Sequence, residues 1–331
     1  MSAPDIRRAD RASVSLAARL LAGGRLVAFP TETVYGLGAD AGSAAAVGRL
    51  FEIKGRPADH PLIVHVHDLA AARGWGRLSP QALALADAFW PGPLTLIVPR
   101  ASHVLDAVTG GQDSVGLRVP VHPVARALLG EFNGGIAAPS ANRFGHVSPT
   151  TARHVADDFD AGIDLILDGG PCDIGIESTI VSCMNASAAL LRPGGIGADA
   201  IAAVLGHAPA APDAASPRVS GALPSHYAPR TPAELADYDV LRAELSQLEG
   251  RDERVAVLAR SASAPEGFDG VWVVASDDPA TYARTLYANL RALDDAGADA
   301  ILIENVPGGR EWAAIRDRLA RATAGVDDDR D

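Results

Sequence analysis

The sequence predicts an α/β protein in which one large sheet with flanking helices is followed by a smaller α/β domain. Three observations carry this. Short apolar runs of strand length alternate with helix-period segments along the chain. The stretch HAPAAPDAASPRVSGALPSHYAPR, residues 207–230, is rich in Pro, Ala and Ser and has no periodicity, as an interdomain linker would be. The 331 residues are 48% hydrophobic, spread along the whole length, enough for two ordinary cores.

Residues 13–22 read as a helix with Leu16, Leu20 and Leu21 on one side, and Gly23-Gly24 ends it before a strand at 25–29. A helix at 43–53, a strand at 62–66, a helix at 80–90 and a strand at 94–98 follow. Strand-like segments at 115–119, 136–138, 165–167, 179–182 and 189–191 come next, with helices near 123–129 and 150–159. Beyond the linker, strands are predicted at 254–259, 271–274 and 300–303, and helices at 279–293 and 310–322. The expected domains are therefore 1–207, a linker at 208–230, a second domain at 231–325 and an acidic tail, GVDDDRD, ending as residues 326–331. No internal repeat is visible. No run approaches the ~18 apolar residues of a membrane span, and the N-terminal MSAPDIRRADRAS has no apolar stretch of a signal peptide. A soluble, cytoplasmic protein is expected.

The formal net charge of −12 argues against a protein that coats nucleic acid by bulk electrostatics. Residues 1–207 hold 16 basic and 19 acidic side chains, and the remaining 124 hold 13 and 22, so an anion site belongs in the first part. Cys172 and Cys183 are the only cysteines, too few for a disulfide framework or a Cys-based metal site. Of 29 basic residues 28 are Arg; the single Lys54 points to a position wanting a compact ammonium on a flexible stem.

In open α/β sheets chemistry is carried by loops beyond strand ends, and five polar, glycine-rich clusters occupy such places. Pro30-Thr31-Glu32-Thr33-Val34-Tyr35-Gly36, after the strand RLVAF, could hold a small zwitterion against hydroxyls and exposed amides. Lys54-Gly55-Arg56-Pro57-Ala58-Asp59-His60 places two cations two residues apart in a loop suited to polyphosphate. His65 and His67 share a strand face, but without a Cys or acidic partner nearby no metal is expected, and His65 reads as a hydrogen-bonding ligand contact. In Ser114-Val115-Gly116-Leu117-Arg118, alternation puts Gly116 and Arg118 on one face, a cation over a small residue that leaves room for a carboxylate. Ser140 and Asn142 follow an apolar strand, and Ser148-Pro149 has the look of a helix start. Gly175-Ile176-Glu177-Ser178-Thr179 and Arg192-Pro193-Gly194 complete the set, Arg192 as an exposed cation near phosphate or base.

Taken in order, PTETVYGLGADA, KGRPADHPLIVH, FWPGPLTLIV, SVGLRVPVHP, AAPSAN, SPT, GIESTIVS and LRPGGI resemble the YrdC-like family. SGALPSHYAP followed by a second domain resembles its long, two-domain form. The resemblance implies a large twisted mixed sheet with flanking helices, then a Rossmann-like C-terminal domain. It also implies a nucleotidyltransferase that makes threonylcarbamoyl-adenylate from L-threonine, bicarbonate or carbon dioxide, and ATP, for threonylcarbamoyladenosine next to the tRNA anticodon. By that resemblance Thr31, His65, Arg118 and Ser178 hold threonine, with Arg118 on its α-carboxylate. Lys54, Arg56, His60, Ser114, Ser140, Asn142, Ser148, Arg192 and His226 lie near ATP, and Lys54 and Arg56 are its catalytic cations. His60 stands where many relatives carry Asn. His226 and Tyr227 belong to a linker motif resembling a flap, with Leu223-Pro224-Ser225 where other members have a Lys-Tyr-Lys type stretch. Mg²⁺ is expected to be held by phosphates and water, and the product to pass to a tRNA threonylcarbamoyl transferase. Two other readings fit parts of the pattern: a non-catalytic double-stranded-RNA module of the same fold, and a carbamoyl-adenylate enzyme using carbamoyl phosphate. The net charge weighs against the first, and the linker motif against the second.

Overall fold

The computed structural model describes residues 4–223, 225–247 and 254–325; the predicted acidic tail, 326–331, lies outside them. The described residues form fourteen strands and eleven α-helices. In chain order the first part runs β1 (Ile6–Arg8), α1 (Arg11–Ala22), β2 (Val27–Phe29), β3 (Gly36–Asp40), α2 (Ala44–Lys54), β4 (Ile63–His65), α3 (Leu69–Trp75) and α4 (Pro80–Phe89). It continues with β5 (Leu94–Pro99), α5 (Asp106–Thr109), β6 (Ser114–Arg118), α6 (Pro123–Phe132), β7 (Ile136–Ala137) and α7 (Ala152–Asp158). Last come β8 (Leu165–Asp168), β9 (Thr179–Ser182), β10 (Ala189–Arg192) and α8 (Ala198–Leu205).

Their starts follow local chemistry. Asp10 caps α1 by accepting from the Ser13 N–H, and Ser43 caps α2 by accepting from Ala46. Gly55, at φ 62°, ends α2 in the left-handed region, where a residue with a Cβ is strained, and so turns the chain sharply between Lys54 and Arg56. The expected helix start at Ser148-Pro149 is corrected: α7 begins at Ala152, and Thr151 caps it by accepting from His154.

The ten strands make one mixed sheet in the order β1-β8-β2-β3-β7-β4-β6-β5-β9-β10. Strand alternation divides its faces. Ala28, Val64, Leu96, Leu117, Ile166 and Val181 point into the larger core, where α2, α4, α7 and α8 pack. Val27, Phe29, Ile136, Leu165 and Leu167 point the other way, into a smaller core closed by α1 and α6. That second core covers only the β8-β2-β3-β7 end of its face. On the same face, β4, β6, β5 and β9 continue with Ile63, His65, Gly116, Arg118, Thr95, Ile97 and Ile180, a row the registers align.

The chain divides into two compact units, residues 1–144 with 148–222, and residues 145–147 with 223–331. The second holds β11 (Ala233–Ala236), α9 (Tyr238–Gln247), β12 (Val255–Ala259), β13 (Val271–Val274), α10 (Pro279–Asp294), β14 (Ala300–Glu304) and α11 (Ala313–Ala322). Its four strands are all parallel, in the order β11-β14-β12-β13. Val257, Ala259, Leu241 and Leu302 form its core. Glu304 fills the turn after β12, accepting from the backbone N–H groups of Arg260, Ser261 and Ala262 at 2.7–3.0 Å. Within this unit Tyr227 stacks on Tyr287, with ring centroids 5.6 Å apart, and Arg318 lies 5.3 Å over the Tyr227 ring.

Candidate active site

The stretch of sheet beyond the second core carries a connected set of polar side chains. Register places His65, Arg118, Thr95, Ile180 and Arg192 side by side across β4, β6, β5, β9 and β10. All the predicted site residues of the first unit except His60 and Ser140 are buried, although most are polar or charged. Buried groups of this kind need partners.

Arg118 finds Glu32 and Thr33. Its Nη2 donates to Glu32 Oε1 at 2.6 Å and its Nη1 to Thr33 Oγ1 at 2.8 Å. Thr33 Oγ1 is 2.8 Å from Thr31 Oγ1, and Thr31 donates on to the Val34 carbonyl at 2.7 Å. The turn is held by Tyr35, whose hydroxyl donates to Gly170 O and accepts from the Gly169 N–H. His65 sits beside Arg118, its Nδ1 3.3 Å from Ile63 O and its ring edge-on to Phe29. Burial, then the Arg118 charge, pushes the imidazole down to about 3, so the ring is neutral.

A second group centres on Ser178. Its Oγ is 2.7 Å from Thr95 Oγ1, and Arg192 donates to its Oγ and, from Nε and Nη2, to its carbonyl. Arg192 Nη1 reaches the Ser220 carbonyl at 2.8 Å, while Arg56 Nη2 reaches Ser220 Oγ at 3.3 Å and Pro61 O at 3.0 Å. Two cations of the sequence motifs thus meet at one linker serine. Arg218, Val219 and Ser220 close a small pocket whose floor is Ile63, Gly116 and Ile180, with Ser114 on its wall. The Gln112 side chain holds this strap by exchanging two hydrogen bonds with the Arg218 backbone.

Lys54 points inward. Its Nζ donates to the Ser140 carbonyl at 2.7 Å and to the Asn142 carbonyl, while Phe144 N–H returns to Lys54 O. Burial, then neighbouring Arg56, holds its ammonium well below the usual lysine range. Arg56 lies over the Phe144 ring, whose edge meets His60 5.2 Å away. Partial burial and Arg56 also lower His60. Ser148 donates to Glu177 Oε1 at 2.6 Å. Loop 173–178 is tied to the Thr31 turn by Ile174 N–H to Glu32 O and Gly175 N–H to Thr33 O. Gly194 lets the turn after β10 lie against this loop: a Cβ there would fall 2.4 Å from the Thr179 nitrogen.

The structure therefore brings together Thr31, His65, Arg118, Ser178, Lys54, Arg56, His60, Ser114, Ser140, Asn142, Ser148 and Arg192 in the first unit. His226 belongs to the second, where its N–H donates to Arg321 O and its ring meets Tyr227 edge-on. Thr95 and Ser220 complete the polar network together with Glu32, Thr33 and Glu177, which the sequence clusters contained without a role of their own. Thr95 had a local signal, a lone hydroxyl inside the apolar run LTLIV. Cys172 and Cys183 are buried free thiols, and burial raises both pKa values, so neither is a nucleophile.

Fold and site define an α/β protein with a buried cluster of cations and hydroxyls on one face of a mixed sheet. A family model described as "Telomere recombination", covering the Sua5, YciO and YrdC proteins, matches residues 19–194, and another, "Threonylcarbamoyl-AMP synthase, C-terminal domain", matches 196–324. The chain belongs to the Sua5–YciO–YrdC family. It is 41% identical over 325 residues to a Bacillus subtilis threonylcarbamoyl-AMP synthase, covering 94% of this chain and 93% of that one. Pyrococcus abyssi Sua5 complexed with L-threonine superposes with a TM-score of 0.88 at 37% identity, over 98% of this chain and 97% of that chain. A putative threonylcarbamoyl-AMP synthase of Mycobacterium tuberculosis is 39% identical over 203 residues, 61% of this chain but 93% of its own.

Proposed function

We propose that this chain makes threonylcarbamoyl-adenylate from L-threonine, bicarbonate or carbon dioxide, and ATP, releasing pyrophosphate. One observation carries the reading: Thr31 connects through Thr33 to Arg118, which pairs with His65 on the sheet, and Ser178, bonded to Thr95 beside Arg118, leads through Arg192 and Ser220 to Arg56. An amino-acid site and a polyphosphate site are thereby adjacent. In this reading Arg118 takes the α-carboxylate, neutral His65, Thr31 and Ser178 the remaining polar groups of threonine. Lys54, Arg56, His60, Ser114, Ser140, Asn142, Ser148 and Arg192 face ATP. Residues 1–207 carry the catalysis, 208–230 form a linker whose His226 and Tyr227 act as a flap, and 231–325 form the second domain.

Once threonine's amine is neutral it captures carbon dioxide as a carbamate, and a carbamate oxygen attacks the α-phosphorus while pyrophosphate leaves. No side-chain nucleophile is needed. The work is positioning and charge neutralisation, which Lys54, Arg56 and Arg192 supply around the triphosphate. Among the described residues no group of three or more His, Cys, Asp or Glu is placed to hold a metal. In this reading Mg²⁺ enters with ATP, held mainly by its phosphates and water. The unstable adenylate then passes to a tRNA threonylcarbamoyl transferase. The RNA-module reading is not favoured: a buried, hydrogen-bonded polar pocket suits a small ligand, and the net charge is −12.

The test is mass spectrometry of the product after incubation with ATP, bicarbonate, Mg²⁺ and threonine. The expected product is threonylcarbamoyl-adenylate, with pyrophosphate release that depends on threonine. Arg56→Ala is expected to abolish that release while the protein stays folded; normal turnover in this variant, or turnover with carbamoyl phosphate in place of threonine, sinks the reading.

A further inference from the structure

We propose that Glu32 is a positioning residue for amino-acid recognition: it fixes the Arg118 guanidinium so that the Nε–H faces the substrate's α-carboxylate. The inference rests on the reading that Arg118 receives that carboxylate, and adds what aims it.

Glu32 is buried, and both of its oxygens accept from donors fixed elsewhere, Oε1 from Arg118 Nη2 at 2.6 Å and Oε2 from the Val121 N–H at 3.2 Å. Thr33 Oγ1 accepts from Nη1 at 2.8 Å. The backbone carrying both anchors is itself tied, through Glu32 O to Ile174 N–H and Thr33 O to Gly175 N–H. Both terminal nitrogens of Arg118 are therefore held, whereas its Nε is buried and has no hydrogen-bond partner among the described residues. A buried guanidinium N–H without an acceptor has lost its water and gained nothing in return, so a carboxylate oxygen in line with it restores a charge-assisted bond. Glu32 also cancels the Arg118 charge, and neighbouring His65 is neutral. With the Arg118 charge offset by Glu32, recognition by Arg118 depends on the direction of that N–H. The alternative is that Glu32 merely masks Arg118, in which case removing it would strengthen carboxylate binding.

These two roles predict opposite results. Gln at position 32 cannot satisfy both donors, because one of its terminal atoms is itself a donor. Asp keeps the charge but is too short to reach both. Calorimetric titration of the full chain with L-threonine, with L-threoninol, which lacks the carboxylate, and with ATP separates them. Wild type is expected to prefer threonine over threoninol. Glu32→Gln and Glu32→Asp are expected to lose about ten- to a hundredfold of threonine affinity, with threoninol and ATP affinities unchanged. Thr33→Val, which leaves the ion pair, is expected to lose less in the same direction. If both Glu32 variants fail to fold, Thr33→Val decides by the same comparison. Threonine binding as tight as wild type, or tighter, in a folded Glu32 variant overturns the positioning role. A wild-type protein that does not distinguish threonine from threoninol instead overturns the assignment of Arg118 on which it rests.

Discussion

His65 is buried beside Arg118, and burial, then the Arg118 charge, pushes its imidazole down to about 3, against an unfolded value near 6.5. Between these limits the unfolded chain binds a proton that the folded chain refuses. The stability this group contributes is therefore complete above about pH 6.5 and lost as pH falls toward 3. At pH 5 the loss is about 2 kcal/mol. Urea unfolding at pH 5 and pH 7.5 should show that difference, and His65→Gln should flatten it; an unchanged pH slope in the variant would mean the imidazole is not held neutral. Sequence alone already paired Gly116 with Arg118 on one face, because strand alternation is a local rule. It did not reveal that Arg118 is held by Glu32, whose partner lies 86 positions away and is set by where β6 meets the Thr31 turn. Lys54 was legible as unusual for the same local reason, being the chain's one lysine. Its carbonyl partners on the 140–142 loop were not.

Elements with a clean period were legible from the sequence. The helices at Arg11–Ala22 and Ala44–Lys54 were expected within a residue or two of where they lie, the first because Leu16, Leu20 and Leu21 share one side and Gly23-Gly24 ends it. β3 was not recognised: Gly36–Asp40 is two-fifths glycine and reads as a loop, and it is a strand only because β2 and β7 flank it. β1, α3, α5, α8, β11 and α9 were missed as well, being short or weakly patterned. The turn after β10 makes a prediction at this scale. Gly194→Ala would place its Cβ 2.4 Å from the Thr179 nitrogen and 2.7 Å from Glu177 O, atoms of backbone that cannot swing aside. Relief requires the β9 start to move, and Ser178 with it. The variant should lose about 1–3 kcal/mol of stability and show a raised KM for threonine. Wild-type values for both would mean the turn and β9 shift together freely.

The first unit carries two of the molecule's cores, built from residues between Val14 and Ile201, while the core around Val257 and Leu302 is separate. Charge divides in the same sense: of the net −12, residues 1–207 hold −3, that is 16 minus 19, and the rest −9, or 13 minus 22. Thr31, His65, Arg118 and Ser178 all lie in the first unit, and so does the strap, since Arg218 and Ser220 are bonded by Gln112, Arg56 and Arg192. A relative spanning about this length exists as a protein of its own. A chain ending at Ala222 should therefore fold and bind threonine within about a few-fold of the full chain, because Thr31, His65, Arg118 and Ser178 and their hydrogen-bond partners all belong to the first unit. Only residues 145–147, which pack with the second unit, should fray. A chain ending at His207 keeps both cores but loses Ser220, the residue on which Arg56 and Arg192 converge, so Arg192 keeps its bonds to Ser178 and Arg56 its bond to Pro61 O while the link between the two cations is gone. It should keep threonine affinity and lose affinity for ATP. Calorimetry on the two truncations decides: equal ATP binding in both would show that the strap has no part in placing the cations, and loss of threonine binding from the longer one would show that the amino-acid site draws on the second unit.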